Sequence, residues 1–266
     1  MASRNGLNPK IRGPKGVGYG RALPAPFSFG NGLCPDGVDD YLLIPGLVGK
    51  TWPLEGSIEL WATVLSGSKA QREIEIRFND GSNLRVTAYA STLPVIQSAA
   101  RMPGPSAVPN GVYSLNTKYH YCFMWDASKL YGWGNALLPN TIDGGAITSI
   151  TSAMNLVITG ASISAQEDGN LCSNTKLDEV RFYNRKLNIE ELVLNDNNGT
   201  GNNPSTTESL FAWYKFEQFE TLDFSALQDG SDIGIGIRDL SGQNNHALEQ
   251  NMDTTITSST YVLKPF

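Results

Sequence analysis

The chain has 266 residues, of which only 17% are charged, and it contains 27 glycines and 14 prolines. This composition favours short strands joined by many turns over a bundle of helices. The net charge of −6 argues against nucleic acid as a partner, and the lack of an apolar run of about 20 residues argues against a membrane.

The first 26 residues differ in charge and composition from the rest of the chain. They are rich in glycine and proline, which excludes a regular helix or a central strand, and no acidic residue occurs before Asp36. Their charge is +5, whereas the remainder has 15 basic and 26 acidic residues. The segment is either a disordered tail or an extended basic arm that orders on an acidic neighbour, such as the next subunit of an assembly. The candidate partner-binding residues are Arg4, Lys10, Arg12, Lys15 and Arg21.

The cysteines and the chain start bear on where the protein is made. Cys34, Cys122 and Cys172 are odd in number and include no Cys-x-x-Cys pair, so we interpret them as small buried side chains in a reducing compartment. Residues 1–26 also lack the apolar core of a signal peptide. We therefore expect synthesis in the cytoplasm.

Strands are predicted in quick succession after the arm. Apolar and polar residues alternate over 58–64, 73–78, 84–88 and 118–125, as in half-buried strands. Residues 79–82, Asn-Asp-Gly-Ser, predict a hairpin turn between the second and third of these strands.

Residues 176–194 combine a strand and a helix. The β-branched and aromatic run that ends at Phe182 and Tyr183 predicts a strand, and the spacing of apolar residues from 187 to 194 predicts a short helix. Asn188 is a suitable N-cap, and Glu190 and Glu191 lie in the first turn, where the helix dipole favours negative charge.

This stretch carries a family resemblance. Residues 178–192, Asp-Glu-Val-Arg-Phe-Tyr-Asn-Arg-Lys-Leu-Asn-Ile-Glu-Glu-Leu, resemble the closing strand and helix of laminin-G-like domains, which belong to the concanavalin A-like lectins and glucanases. Residues 36–45 resemble the opening strand of that domain, and residues 56–62 resemble the strand after it. The resemblance covers residues 29–195. It implies an all-β jelly-roll sandwich with a short helix after the closing strand, and it places the opening and closing strands side by side.

The C-terminal part resembles a displaced piece of the same domain. Residues 210–217 and 239–248 are similar to a strand and an Asp-Leu-Ser-Gly turn that precede the opening strand in many family members. Either residues 205–266 complete the same sandwich or they begin a truncated second copy. We favour completion, because about 60 residues form a marginal core alone. The predicted organisation is an arm over 1–26 and one sandwich over 27–266.

The resemblance also implies a cofactor. Many members of the family bind Ca²⁺ through oxygens near the opening and closing strands, which here offer Asp36, Asp39 and Asp178, with Asp40 and Glu179 beside them. The alternative is that Asp36 and Asp39 only accept hydrogen bonds from turn backbone.

A carbohydrate site would need aromatic faces with a few polar groups. Tyr131, Trp133 and Asn135, at the end of a predicted hairpin, are the candidates. The alternative is that they belong to the core and the turn.

Evidence for catalysis is weak in the sequence. His120 and His246 belong to no recognisable triad, and residues 73–78, Glu-Ile-Glu-Ile-Arg-Phe, lack the carboxylate spacing of the related glucanases. We therefore expect a non-enzymatic protein. Laminin-G-like domains usually work outside cells, and without a signal peptide the simplest route out is cell lysis by a bacteriophage. We expect a bacteriophage virion surface protein, either a capsid decoration or a fibre-associated component. Its expected partners are other virion proteins or copies of itself through the arm, together with cell-surface glycans. The alternatives are a bacterial surface or secreted lectin module and a glycoside hydrolase.

Overall fold

The computed structural model describes residues 29–65, 71–89, 92–99, 106–107, 114–126, 129–134, 143–146, 156–165, 173–224, 233–252 and 262–266. The arm over residues 1–26 lies outside the described residues. Within the described ranges the chain forms seventeen strands, a short 3-10 helix at Pro45–Leu47 and the helix α1 at Ile189–Asp196. The strands are β1 Asn31–Leu33, β2 Tyr41–Leu43, β3 Gly56–Val64, β4 Gln71–Phe78, β5 Asn83–Tyr89, β6 Thr92–Ala99, β7 Ser106–Ala107, β8 Lys118–Trp125, β9 Lys129–Gly134, β10 Asp143–Ala146, β11 Ile158–Ile163, β12 Thr175–Tyr183, β13 Leu210–Tyr214, β14 Glu220–Asp223, β15 Ile233–Ile237, β16 Ala247–Gln250 and β17 Leu263–Pro265.

The strands form two antiparallel sheets. Sheet A has the order β10-β9-β8-β3-β12-β1-β17, with β13 also paired to β12. Sheet B has the order β14-β15-β16-β2-β11-β4-β5-β6-β7. The predicted all-β jelly-roll sandwich with a short helix after the closing strand is therefore confirmed.

One large hydrophobic core lies between the sheets. Alternate residues of β3 and β8, such as Leu60 and Phe123, face alternate residues of β4 and β11, such as Ile74 and Ile163, and all four are fully buried. The period-two alternation in the sequence thus marks the inward side of each strand.

The opening strand does not lie beside the closing strand, so that prediction is wrong. β2 pairs with β11 and β16 in sheet B, whereas the closing strand β12 belongs to sheet A. The strands that pair with β12 are β3, β13 and β1, and the sequence patterns did not reveal β1. Residues 34–40 carry the chain from one sheet to the other, because a turn with positive φ at Gly37 separates the two short strands.

The strands after α1 join both sheets. β13 and β17 belong to sheet A, and β14, β15 and β16 extend sheet B beyond β2. The strands described after α1 therefore belong to the same two sheets as the earlier strands.

The outer face of sheet A is covered by α1. Asn188 caps the helix by accepting a hydrogen bond from the backbone N–H of Glu191, and the Glu191 side chain bonds back to the cap residue, as the capping prediction requires. Leu187, Leu192 and Leu210 then pack on Cys122, Met124, Trp133 and Tyr183 in a second apolar cluster. Within the described residues, no helix is long and apolar enough to cross a membrane.

Beside this second cluster lies a buried polar network centred on Glu59. The Glu59 carboxylate accepts hydrogen bonds from Arg181 Nη1 at 3.2 Å, Tyr183 Oη at 3.0 Å and Asn195 Nδ2 at 3.0 Å, and lies 2.8 Å from His120 Nε2. All five side chains are fully buried. Removing one partner of a buried ion pair costs about 3–5 kcal/mol, so this network fixes which residues of β3, β8, β12 and α1 meet.

The network continues at both ends. His120 Nδ1 lies 3.3 Å from Asp196 Oδ1, and the His120 ring stacks on Trp61 with 4.5 Å between centroids. Arg181 Nη2 donates to Glu179 Oε2 at 2.8 Å. Glu179 adopts φ 51° within a β-bulge of β12, and this extra residue turns its carboxylate toward Arg181.

The network shifts two pKa values in opposite directions. Burial alone would raise the pKa of Glu59, but the Arg181 charge and the His120 and Asn195 hydrogen bonds outweigh it and lower the pKa to about 2. Burial opposes a charged His120, but hydrogen bonds with Asp196 and Glu59 raise its pKa above the ordinary 6.5. The charged forms of both groups are thus stabilised by folding.

We expect stability to depend on pH through these two groups. The Glu59 contribution is present above pH 4.5 and is lost as the pH falls toward about 2, because its folded pKa is depressed. The His120 contribution is present below pH 6.5 and declines as the pH rises through the raised folded pKa. Urea unfolding between pH 3 and 9 measures both limbs.

The variant His120→Gln removes the group that produces the alkaline limb, while groups that do not contact His120 titrate alike in both proteins. Its unfolding free energy should fall less than that of the wild type above pH 6.5. Parallel curves for the two proteins above pH 6.5 would show that folding does not raise the pKa of His120.

Candidate functional site

Three of the predicted carboxylates meet in one turn. Oxygens of Asp36, Asp39 and Asp40 lie within 4.8 Å of one another. Asp36 Oδ1 accepts from Val38 N at 2.7 Å, and Asp40 Oδ2 accepts from Asp36 N at 2.9 Å. These hard oxygens suit Ca²⁺, but three residues supply only part of the six to eight ligands that the ion prefers, and some of the oxygens already cap the turn.

Asp178 is not part of that group. It is 1% exposed and lies opposite Trp61 in sheet A, where its Oδ1 accepts from Glu179 N at 2.7 Å. Burial, followed by the charge of Glu179, raises the pKa of Asp178 well above its usual value. Asp178 lies outside the group of Asp36, Asp39 and Asp40, and burial disfavours the charged form that Ca²⁺ needs, so the predicted set of Asp36, Asp39 and Asp178 is not assembled as one site.

The predicted aromatic residues have separate surroundings. Trp133 is fully buried in the cluster under α1, edge-on to His120 with 5.0 Å between centroids. Tyr131 is half-buried, donates to Asp126 at 2.6 Å and lies under the Lys186 ammonium at 4.2 Å. Asn135 lies outside the described residues. Trp133 is therefore a packing residue, and its ring has no open face on which a sugar could stack.

Glu73 and Glu75 are both buried and engaged. Glu73 accepts from Thr175 Oγ1 at 2.8 Å, and Glu75 pairs with Arg72 and, at 3.0 Å, with Arg77. The surroundings of Glu73 and Glu75 differ because a bulge of β4, between Arg72 and Ile74, takes Glu73 out of the regular alternation of side chains. Neither carboxylate lines the open cleft described next.

A solvent-open cleft of about 390 Å³ lies at one end of the sandwich. It is bounded by the loop after β2, the end of β12, β13 and the turn before β16. The lining residues are Leu47, Lys50, Thr51, Pro53, Ile158, Asn184, Phe211, Gln243 and Asn245.

One wall of the cleft is held by the segment 239–246. Asp239 accepts hydrogen bonds from Trp213 N and Asn245 N, both at 2.9 Å, and from the N–H and hydroxyl of Ser241. Asn245 in turn donates to the Phe211 carbonyl and accepts from Lys50 Nζ. The Asp-Leu-Ser-Gly segment noted in the sequence therefore builds a rigid turn, which fixes Asn245 in the cleft.

Other polar groups in the cleft remain available. In the part of the chain that the structure describes, the side chains of Thr51, Asn184 and Gln243 are exposed and make no hydrogen bond to protein. Phe211 is half-buried and packs on Trp52, with 6.4 Å between ring centroids, so one aromatic surface borders these groups. Nothing in the sequence joined these residues, because they come from four separate segments.

The cleft and the acidic turn lie at opposite ends of β12. Gly37 of the turn packs against Asn174, just before β12, and Asn184 of the cleft follows β12 directly. Nine strand residues at about 3.3 Å each separate the two by roughly 30 Å. They are therefore independent candidate sites.

Comparison with known proteins supports the fold. No protein-family model matches the chain, and no curated protein matches it. A solved structure from Bacteroides ovatus, described as a candidate carbohydrate-binding protein, has a TM-score of 0.57 and 14% identity. The match covers 85% of this chain and 59% of that protein, so the chain spans about three fifths of its length.

Two further solved structures share less of the fold. Tailspike protein 2 of a bacteriophage of Escherichia coli O157:H7 has a TM-score of 0.45 and 13% identity, over 72% of this chain and 28% of the tailspike. Trypanosoma rangeli sialidase has a TM-score of 0.45 and 15% identity, over 65% of this chain and 29% of the sialidase. At these identities the likeness describes the fold alone.

Calcium binding at the acidic turn is testable by calorimetry. If Asp36, Asp39 and Asp40 hold Ca²⁺, titration should give a one-site isotherm, and Asp39→Asn should weaken it at least about tenfold by removing a charged ligand. Glu55→Gln, an exposed carboxylate elsewhere, is the matched control. An absence of binding heat, with thermal stability unchanged by a chelator, would leave the three residues as turn caps.

Proposed function

We propose that the protein is a non-enzymatic glycan-binding module whose ligand occupies the cleft. The observation that carries this proposal is the lining of the cleft, which combines one aromatic ring, apolar side chains and unengaged amide and hydroxyl groups. Sugars present C–H faces and hydroxyl edges, and such a lining matches both. A volume of about 390 Å³ lies within the usual range of roughly 300–1,000 Å³ for small-ligand sites.

The positions of the carboxylates support a binding module rather than a hydrolase. Glycoside hydrolysis by the usual route needs two carboxyl groups flanking one bond, about 5–10 Å apart and open to substrate. Among the residues that the structure describes, no acidic side chain lines the cleft. Glu73 and Glu75 are engaged by Thr175 and by arginines, and burial keeps them from solvent.

Loss of the free amides should weaken glycan binding without affecting the fold. We expect the wild type to retain a subset of glycans on an array, and Asn184→Ala combined with Gln243→Ala to lose about 1–3 kcal/mol of binding, or roughly tenfold or more in affinity. Both side chains are exposed and make no contact that folding needs, so unfolding midpoints should not change. The readout is array binding followed by calorimetry on the best ligand.

The control variant is Thr221→Ala, an exposed polar position on β14 remote from the cleft lining, and it should bind as the wild type does. Retained glycans should also be recovered intact after long incubation. Undiminished binding by the double variant would remove the cleft from the proposal, and released reducing sugar would make the protein an enzyme.

We further propose that the module belongs to the laminin-G-like group and works on a bacteriophage virion. The first part rests on residues 36–45, 56–62 and 178–192. These segments resemble segments of laminin-G-like domains and occur in the same order. The second rests on the charge contrast between the arm, at +5, and the remainder, with 15 basic and 26 acidic residues. Arms of one copy could then dock on acidic bodies of neighbouring copies or of other virion proteins.

Deleting residues 2–26 should leave a folded sandwich that no longer assembles. The five basic residues of the arm would lose their acidic partners, and added salt should weaken assembly of the full chain, because exposed charges are screened beyond about 8 Å at physiological ionic strength. Light scattering of both proteins at low and high salt measures this. Equal assembly with and without the arm would end the virion proposal while leaving glycan binding untouched.

A further inference from the structure

The charge of the cleft is unusual for this protein. The chain carries a net charge of −6, yet the lining residues that the structure describes include one cation, Lys50, and no carboxylate. A ligand in the cleft therefore meets a positive centre, surrounded by neutral hydrogen-bonding groups, in an otherwise acidic molecule.

Lys50 has no direct salt-bridge partner among the described residues, although the charge of Asp239 lies nearby. In the described part of the chain, no carboxylate lies within ion-pair distance of its ammonium, whose recorded side-chain bond is to Asn245 Oδ1. One of its three N–H groups is used in this way, so two remain for a ligand. Burial lowers the pKa of Lys50, with the nearby charge of Asp239 opposing, so the ammonium is less well hydrated than on an open surface.

Asp239 does not serve as the missing counter-ion. Its two oxygens accept four hydrogen bonds from Trp213, Ser241 and Asn245, and it is only 4% exposed. These bonds hold its carboxylate in place within the turn. Its role is to shape the wall that carries Asn245, which leaves the ammonium of Lys50 facing the cleft.

The geometry points to an acidic glycan, a sugar that carries a carboxylate, as the ligand of this cleft, with Lys50 binding the carboxylate. This inference rests on the proposed glycan-binding function. A single ammonium suits a monoanion better than a phosphate dianion, which is usually held by several cations or an arginine fork. Asn184, Gln243 and Thr51 remain for the sugar hydroxyls, and Phe211 with Pro53 provides an apolar side.

Matched pairs of methyl glycosides test the charge of the ligand. Methyl glucuronide and galacturonide differ from methyl glucoside and galactoside only in the carboxylate. We expect the acids to bind about tenfold more tightly, since a hydrogen bond to a charged group contributes more than one between neutral groups. Lys50→Gln should abolish that difference, and Lys50→Arg, which keeps the charge, should preserve most of it. Lys264→Gln, an exposed lysine on β17, is the matched control.

The outcomes separate this inference from the proposed function. Equal binding of acid and neutral sugars, unaffected by Lys50→Gln, overturns the acidic ligand but leaves glycan binding intact. No binding of either sugar class, here and on the array, overturns both. Sodium acetate competing as well as the glucuronide would also overturn it, because the cleft would then recognise a carboxylate without its sugar.

Discussion

The burial of Glu59 is the constraint on which the rest of sheet A depends. An isolated buried carboxylate would be too costly to remain ionised, so it must be surrounded by donors. Arg181 and Tyr183 from β12, His120 from β8 and Asn195 from α1 supply them. Any slip in strand register or helix position would leave a charge unpaired inside the protein, which penalises alternative arrangements more sharply than apolar contacts do.

The same network explains the irregularity of β12. A regular strand would direct Glu179 to the inner face, into the apolar core, because side chains alternate. The bulge and the positive φ of Glu179 keep its carboxylate on the outer face, where Arg181 and the Trp213 indole N–H at 2.7 Å bind it. The strain of a non-glycine residue at φ 51° is offset by these charge-assisted bonds.

Local sequence patterns predicted the features that depend on residues close together in the chain. The run ending at Tyr183, the Asn188 cap and the alternation of β3 and β8 followed from a few adjacent residues each. Three features depended on distant partners and were missed. The three-residue strands β1 and β2 belong to different sheets, Trp133 is covered by α1, and the cleft combines Lys50, Asn184, Phe211 and Gln243 from separate segments.

The location of the cleft follows from how the two faces are filled. The outer face of sheet A holds the Glu59 network and α1, and that of sheet B, where described, holds the buried group Arg72, Glu75 and Arg85. A ligand that displaced either set would leave buried charged groups without their hydrogen-bond partners. The end of the sandwich lacks this restriction, because its loops already meet water. Lys50 follows a strand of sheet B and Asn184 follows one of sheet A, so the apolar core that holds the sheets together also sets the width of the cleft.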